Sequence, residues 1–551
     1  MKSLFFSTII SFLILSSAIA QSPLNQQSKF NRGDTLRGML SPERSGYDVT
    51  YYHLNLKVDP SDKTISGYND IHFTSLRNSN LIQIDLFKNM IIDSIMYNGS
   101  AIKYSRSYNA VFIDFREILY DGKAYMIRVY YHGKPIIANR PPWDGGFTWN
   151  KDDNGKDWIG VSCEGIGASL WWPNKDHLSD EPDSMSVTCT VPDEVTFVGN
   201  GNLKGEELIE NGWKTSTWHV SYPINNYNVT LNIGDYRHLA DEYVSKDDDR
   251  LALDYYVLPY NVEKAKTHFE QVKPMLACYE DYLGKFPFWQ DGFALVETPY
   301  LGMEHQGAIA YGNQYKTGYA GFDFSRIGLE FDYIIIHEAG HEYWGNNVSA
   351  KDIADLWIHE GFCTYTEAIY VECMHGYDVA MDYVNAKKPS IGNENPMIGI
   401  YNVNKEGDGD MYNKGMLFLN SVRHIINDDE LWFGMLRDMQ QKSFKYKTTS
   451  TEEILAYFNE KTEKDWSLIF EQYLNYPSIP KLEVEKTKKG KNYEVKLRWL
   501  TDVENFEMPI FISTSKDLME WVNVGNEWTI MEFKGKEKHF KIDEEIVYFT
   551  M

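Results

Sequence analysis

Hydrophobic and polar positions along the chain change their period twice. From "YDVTYYHLNLKV", starting at Tyr47, apolar and polar residues alternate, and the same period of two returns in "KTISGYNDIHFTSL", "LIQIDLF", "AVFIDF" and "YMIRVYYHG". Successive side chains of a strand point to opposite faces, so this alternation, broken by Gly, Asn and Asp turns, predicts an antiparallel β-domain over residues 45–240. The stretch "RPPWDGGFTWNKDDNGKDW" interrupts it and reads as a lid or surface insert. Near Asn261 the spacing becomes helical in "NVEKAKTHFEQVKPMLACYEDYLG", and a short strand, "GFALVETP", follows. Helices are expected from about Ser325 to Leu474, including "IGLEFDYIIIHEAGHEYWG", "DIADLWIHEGFCTYTEAIYVECMHG" and "NKGMLFLNSVRHIIND". Thr451 and its neighbours carry an N-capping pattern with acidic residues in the first turn. These elements define a helix-rich domain over 241–479. Beyond the linker-like "YPSIPKLEVEK", strand patterns return and predict a small β-module over 480–551. The expected fold is a multidomain α+β protein.

The first residues follow another pattern. Lys2 precedes an apolar run from Leu4 to Leu15, and Ala18-Ile19-Ala20 supplies a small-x-small cleavage pattern. This reads as a signal peptide over 1–20, implying export to a periplasmic or secreted location. Residues 21–44 are polar and read as a flexible lead-in. No later segment is apolar for long enough to span a bilayer. The net charge of -25, from 79 acidic and 54 basic residues, argues against nucleic acid or an anionic membrane surface as a partner. The five cysteines are odd in number and lack CxxC spacing, so they support neither a disulfide framework nor a cysteine metal site, though export would permit a disulfide.

Candidate chemistry concentrates in "IIIHEAGHEYWGN". On a helix His337 and His341 lie about 40° apart, one turn above each other, and Glu338 sits about 100° from the first. Two imidazoles on one face can hold zinc, with the adjacent carboxylate placed to move a proton. Such a site needs a third protein ligand. The HExxHxxGxxH alternative is excluded because Trp344 and Asn347 stand where Gly and His are required. Glu360, on the following helical pattern, is the candidate third ligand, with His359 as its competitor. Glu367 lies two turns further along the same face, where it could orient a ligand.

The segment "HEAGHEYWGNNVSAKDIADLWIHEGFCTYTE" resembles the zinc signature of the aminopeptidase N (membrane alanyl aminopeptidase-like) family of gluzincin metallopeptidases. Eighteen residues, 342 to 359, separate His341 from Glu360, as in that family. The resemblance runs from about residue 47 to 500 and implies a thermolysin-like zinc catalytic domain holding one zinc ion per chain. It maps "YLGMEHQGAIAYGN" onto the family's G-x-M-E-N segment, which implies that Glu304 binds the substrate's α-amine and that Met303 lines the pocket for the first side chain. Leu301 and His305 depart from that motif. "SCEGIGASLWWPNKD" implies a second amine anchor at Glu164, although Ser169 replaces the family's arginine there. "DMYNKGMLFLNSVR" implies that Tyr412 stabilises the transition state. About seventy residues after Pro480 leave room for a small β-domain where many members have a large helical one, which implies a more open cleft.

The implied activity is release of N-terminal residues from peptides with free N-termini, with Glu338 as general base and acid. The alternatives are an endopeptidase of the same clan, a peptide-trimming epoxide hydrolase, and an exported binding protein on a catalytically dead fold. Retention of all three ligands, Glu338 and Tyr412 speaks against the last.

Overall fold

A computed structural model describes residues 30–551 apart from 324, 326 and 329. The leader expected over 1–20 and the start of the lead-in lie outside the described residues. The N-terminal region carries an eight-stranded sheet whose central members are Tyr47–Asp59, Thr64–Ser75 and Ser184–Pro192. Tyr52, Leu54, Leu56 and Val58 are buried on one face, as the period of two requires. The sheet is antiparallel except at one place. Tyr47–Asp59 pairs with Ser184–Pro192 in parallel, Leu54 opposite Val187, because the chain makes a long excursion before returning. A three-stranded and a four-stranded sheet complete this layer.

Two expectations for this region are corrected. The supposed loop insert is partly a hairpin, Gly146–Lys151 with Asp157–Ser162, since its aromatics alternate with polar residues. The turn before it projects, leaving Trp143 66% exposed. The end of the lead-in is folded, with short helices at Arg32–Gly38 and Pro42–Ser45. Asn31 and Asp34 form a reciprocal capping box at the first. Arg44 is wholly buried against Asp85 at 2.7 Å, and that charge pair fastens the segment to the sheet below.

The second sheet runs in the order Arg237–Val244, Arg250–Val257, Phe293–Glu297, Ile309–Tyr311, Gly302–Met303. It opens at Arg237, a few residues before the expected change at 241. Its last strand is an antiparallel edge, with Met303 opposite Ala310. Val296, Tyr300, Met303 and Ala310 pack into the core of the N-terminal sheets. The edge strand is thereby held at the seam between the two regions.

Helices cover the other side. The helix bearing the HExxH motif is shorter than its apolar pattern suggested, Tyr333–Gly340. Asp332 stops it from extending backward. Its carboxylate caps the Ile334 N–H at 2.9 Å and is anchored by His268, Tyr311 and Asn313. Ile334, Ile335 and Ile336 are buried on all sides, each contributing about 1.5–3 kcal/mol of apolar burial. The following helix, Trp357–His375, crosses Asn413–Ile426 where two glycines meet: a β-carbon on Gly415 would stand 2.8 Å from the Gly361 α-carbon. Only glycine permits that approach. Cys278 and Cys373 form a disulfide that ties Val272–Leu283 to the end of Trp357–His375, so one pair exists despite the odd count.

The C-terminal strands pack onto these helices without a separate core. Trp499, Met508, Ile510 and Phe533 are buried in one cluster with Trp357, Phe418 and Tyr473. Among the described residues no helix is long and apolar enough to cross a membrane.

Candidate metal centre and substrate cleft

His337 and His341 project from successive turns into a cleft of about 960 Å³ that also contains Glu338, Glu360, Glu304, Glu164, Met303 and Tyr412. His337 Nε2 and His341 Nε2 lie 3.3 Å apart. Glu360 Oε2 is 3.5 Å from the first and 3.4 Å from the second. In a tetrahedral zinc centre with ligand distances of about 2.0–2.1 Å, ligand atoms stand about 3.3–3.4 Å from one another. The triangle fits that dimension. Glu360 Oε2 is buried and has no hydrogen-bond partner, an orphaned acceptor that a cation would satisfy.

The other imidazole atoms fix the tautomers. His341 Nδ1 lies 2.9 Å from the Trp344 carbonyl, which can only accept, so Nδ1 carries the proton and Nε2 presents its lone pair to the cleft. His337 Nδ1 donates to Glu367 Oε1 at 2.7 Å, and the other Glu367 oxygen accepts from Tyr383 at 2.5 Å. This pattern of ring N–H groups held from behind is what zinc-binding histidines require. Two neighbours stand outside the triangle. His359 turns away, its Nε2 accepting the Ala350 N–H at 2.7 Å. Cys363 is close to both histidines, but its thiol donates to the His337 carbonyl at 2.9 Å and does not line the cleft.

Glu338 lies beside the triangle, and burial raises its carboxyl to about 7. A divalent cation alongside would pull it back down. The edge strand reaches it because residue 302 is glycine: a β-carbon there would meet Glu338 Oε1 at 2.6 Å. Gly302 thus provides the close backbone approach that Leu301, in the motif's first glycine position, cannot. His305, the other departure, is fully buried away from the cleft, and burial lowers its pKa to about 3.

Glu304 is 3% exposed and accepts from Tyr227 Oη at 2.9 Å. Its carboxylate lies within 4.8 Å of ligand atoms of both His341 and Glu360. Glu164 faces the same space. Burial, then the charges of Glu304 and Glu360, push its carboxyl well above the usual range. Burial raises Glu304 as well, with His341 opposing. Crowded buried carboxylates of this kind suit a cationic ligand.

Glu164 stands on a loop with no regular structure, and its support comes from far along the chain. Arg37 reaches over from the N-terminal helix, donates to the Ile166 carbonyl at 2.8 Å, and pairs with Asp176 at 2.5 Å. Asp176 also accepts from Ser169 N–H at 2.9 Å, and Asn404 donates to the Gly165 carbonyl at 3.1 Å. Tyr412 opens the helix Asn413–Ile426, and the Gly361–Gly415 crossing brings it beside Glu360. Its ring stacks on His337 with centroids 6.0 Å apart. Lys414 points the opposite way and donates to the Pro477 carbonyl at 2.7 Å.

Sequence reasoning missed Tyr227, Glu406, Tyr333, Lys387 and Arg37, all in or against this cleft. Two had a local signal: Arg37 follows the Asn31–Asp34 capping pair that marks a folded helix, and Tyr333 stands one turn before His337 on the same helical face. Tyr227, Glu406 and Lys387 sit in segments with no distinguishing spacing.

Residues 267–473 match the model of the Peptidase family M1 domain. Endoplasmic reticulum aminopeptidase 1 of Homo sapiens is 23% identical over 290 residues, covering 50% of this chain and 30% of that protein. The chain therefore spans under a third of that relative's length in the match. Probable aminopeptidase 2 of Sulfurisphaera tokodaii is 20% identical over 507 residues, covering 86% of this chain and 61% of its own. The crystal structure of an M1 zinc metallopeptidase mutant from Deinococcus radiodurans, bound to a Tyr-Ser-Ala substrate, shares the fold. Its TM-score is 0.66 at 19% identity, over 79% of this chain and 95% of that one.

Proposed function

We propose that this protein, a member of peptidase family M1, is a zinc-dependent aminopeptidase that releases single residues from the free N-termini of peptides. The observation that supports this most is the contact between two groups: a triangle of donor atoms sized for zinc, and the buried carboxylate of Glu304 within 4.8 Å of its His341 and Glu360 members, with Glu164 lining the same cleft. A metal centre alone would serve any hydrolase of this type. An acidic pocket against it favours a substrate whose ammonium group lies one residue from the bond being cut.

Zinc held by His337, His341 and Glu360 would supply a Lewis acid that acidifies water and polarises the scissile carbonyl. Glu338 takes the proton from the attacking water and returns it to the leaving amine. Tyr412 donates a hydrogen bond to the developing oxyanion. Glu304 and Glu164 hold the α-ammonium, and Met303, on the edge strand, lines the pocket for the first side chain. Glu367 orients His337 from behind.

A panel of aminoacyl anilides, each with its N-acetylated counterpart, tests the reading with and without a chelator. Free-amine substrates are expected to be cleaved, acetylated ones refused, and chelation to abolish turnover. Equal cleavage of blocked and free peptides would instead indicate an endopeptidase.

For localisation, the leader pattern and the Cys278–Cys373 disulfide together support export from the reducing cytoplasm. The mature chain is then expected to begin at Gln21 in an extracytoplasmic fraction. An intact Met1 on active cytoplasmic enzyme would overturn this.

A further inference from the structure

The cleft has a second charged end of opposite sign. Among the described residues lining it, Asp144, Glu164, Glu304, Glu338, Glu360 and Glu406 are acidic, and Lys387 is the only lysine or arginine. Lys387 follows the helix Tyr377–Ala386 and is 9% exposed. Its ammonium lies 4.7 Å from the Tyr383 ring centroid and 5.5 Å from that of Tyr333. It makes no hydrogen bond and has no carboxylate within 4.0 Å among the described residues. The acid whose field it feels, Glu367, already has both oxygens engaged by His337 and Tyr383. The adjacent Lys388 differs, for it donates to the Glu544 carbonyl at 2.5 Å. The residue is nine-tenths buried, so its stem is held in place, and its ammonium faces the cleft beside two aromatic rings with no anionic partner.

The direction of the cleft gives this ammonium a role. The Glu304 carboxylate neighbours His341 and Glu360, on one flank of the metal triangle. Tyr333 stacks on His337, the remaining ligand, with centroids 5.3 Å apart, and Lys387 stands one ring further out. A peptide whose amine sits at Glu304 and whose scissile carbonyl sits at the triangle would therefore send its next residues toward Tyr333 and Lys387. Each extended residue spans about 3.3–3.6 Å, so one or two residues past the cut bring an anionic group to the ammonium.

We infer that Lys387 is a carboxylate subsite on the leaving-group side of the reaction, binding the C-terminal carboxylate of a di- or tripeptide or an acidic side chain at the second or third residue. The inference rests on the aminopeptidase reading above and adds to it a substrate class: short peptides with a free C-terminus, or longer ones acidic near the cut. A charge-assisted contact of this kind corresponds to about ten- to a hundredfold in kcat/KM.

The test uses the full-length, zinc-loaded enzyme. Ala-Ala-Ala is compared with its C-terminal amide, Ala-Ala with its amide, and Ala-Glu-Ala-amide with Ala-Gln-Ala-amide, in the wild type, Lys387→Met and Lys387→Arg. Methionine keeps an unbranched stem between the two tyrosines and removes the charge. The wild type is expected to prefer the anionic member by about tenfold or more. That ratio should fall toward one in Lys387→Met and persist in Lys387→Arg. An effect confined to the free-acid pairs assigns the C-terminal carboxylate, and one confined to the Glu/Gln pair assigns the side chain. A wild-type ratio near one, or an unchanged ratio in Lys387→Met, including a uniform loss on all substrates, overturns the subsite. Alanine anilide, which has no carboxylate, separates the two readings. If the wild type cleaves it, failure of the ratio strikes the subsite alone, and if not, both fall.

Discussion

The metal triangle and the amine pocket are built in contrasting ways although their carboxylates nearly touch. His337, His341, Glu360 and Glu367 come from two consecutive helices, and helical geometry with one histidine–carboxylate bond sets their mutual positions. The amine pocket is assembled from separate parts of the chain. Glu164 comes from a loop, Glu304 follows an edge strand, Tyr227 comes from a single turn, and Arg37 and Asn404 brace from opposite sides. A centre made from local spacings stays intact wherever its two helices fold. A pocket made from long-range contacts can be altered piece by piece without disturbing the chemistry beside it.

Removing metal or proton transfer should therefore act on every substrate alike. Chelation is expected to abolish turnover and readdition of zinc to restore it. Glu338→Gln should retain bound zinc, measured by elemental analysis, while kcat falls on the order of 10²–10⁴. A variant that still turns over near the wild-type rate would remove Glu338 as the base. Tyr412→Phe comes next. The loss of one oxyanion donor is expected to lower kcat about 10²–10³ with little change in KM. A rise in KM alone would reassign the tyrosine to substrate binding.

Glu304→Gln probes the other side of the comparison. The amide keeps the size and an oxygen to accept from Tyr227 but removes the charge offered to the α-ammonium. The expected effect is a fall of about ten- to a hundredfold in kcat/KM for free-amine substrates, with preference over acetylated ones reduced in proportion. A loss that is equal on both substrate kinds would mean that Glu304 serves the metal centre and not the amine.

The same contrast explains what could be read in the sequence. The HExxH spacing and the step from Glu360 to Glu367 are legible because a helix converts spacing into direction, whereas the eighteen-residue gap, which crosses from one helix to the next, is legible through the family resemblance alone. Gly415 sits in the Y-x-K-G motif, but its reason, the crossing with Gly361, appears only when two helices pack. The end of the lead-in, residues 31–44, reads as flexible because it is polar, yet its capping box and the buried Arg44 give it a fixed path. Composition misleads there because a few charge pairs order the chain where an apolar face would normally do so. The HExxH helix starts later than its apolar pattern predicts for a related reason. Asp332 reads as one more polar residue until His268, Tyr311 and Asn313 close around it. Lys387 carried no signal at all, since only the fold turns it toward the cleft.

Arg37 gives the smallest effect and the sharpest division between the two constructions. The segment bearing Glu164 has Ser169 where its family resemblance calls for arginine, and Arg37 brings a guanidinium to that loop from more than a hundred residues away. Its bonds to the Ile166 carbonyl and to Asp176 hold the backbone two residues beyond Glu164. Arg37→Met keeps the apolar stem but releases both contacts, so Glu164 should lose its fixed position while Glu304 and the triangle keep theirs. KM for free-amine anilides is expected to rise on the order of tenfold, below the hundredfold that misplacing a reacting group can cost, with kcat within about twofold. Combined with Glu164→Gln, the effect of Arg37→Met should largely vanish, because the residue acts through that carboxylate. If the two losses instead multiply, or kcat falls with KM unchanged, the N-terminal helix supports the fold at large. The amine pocket would then depend on fewer distant segments than its contacts imply.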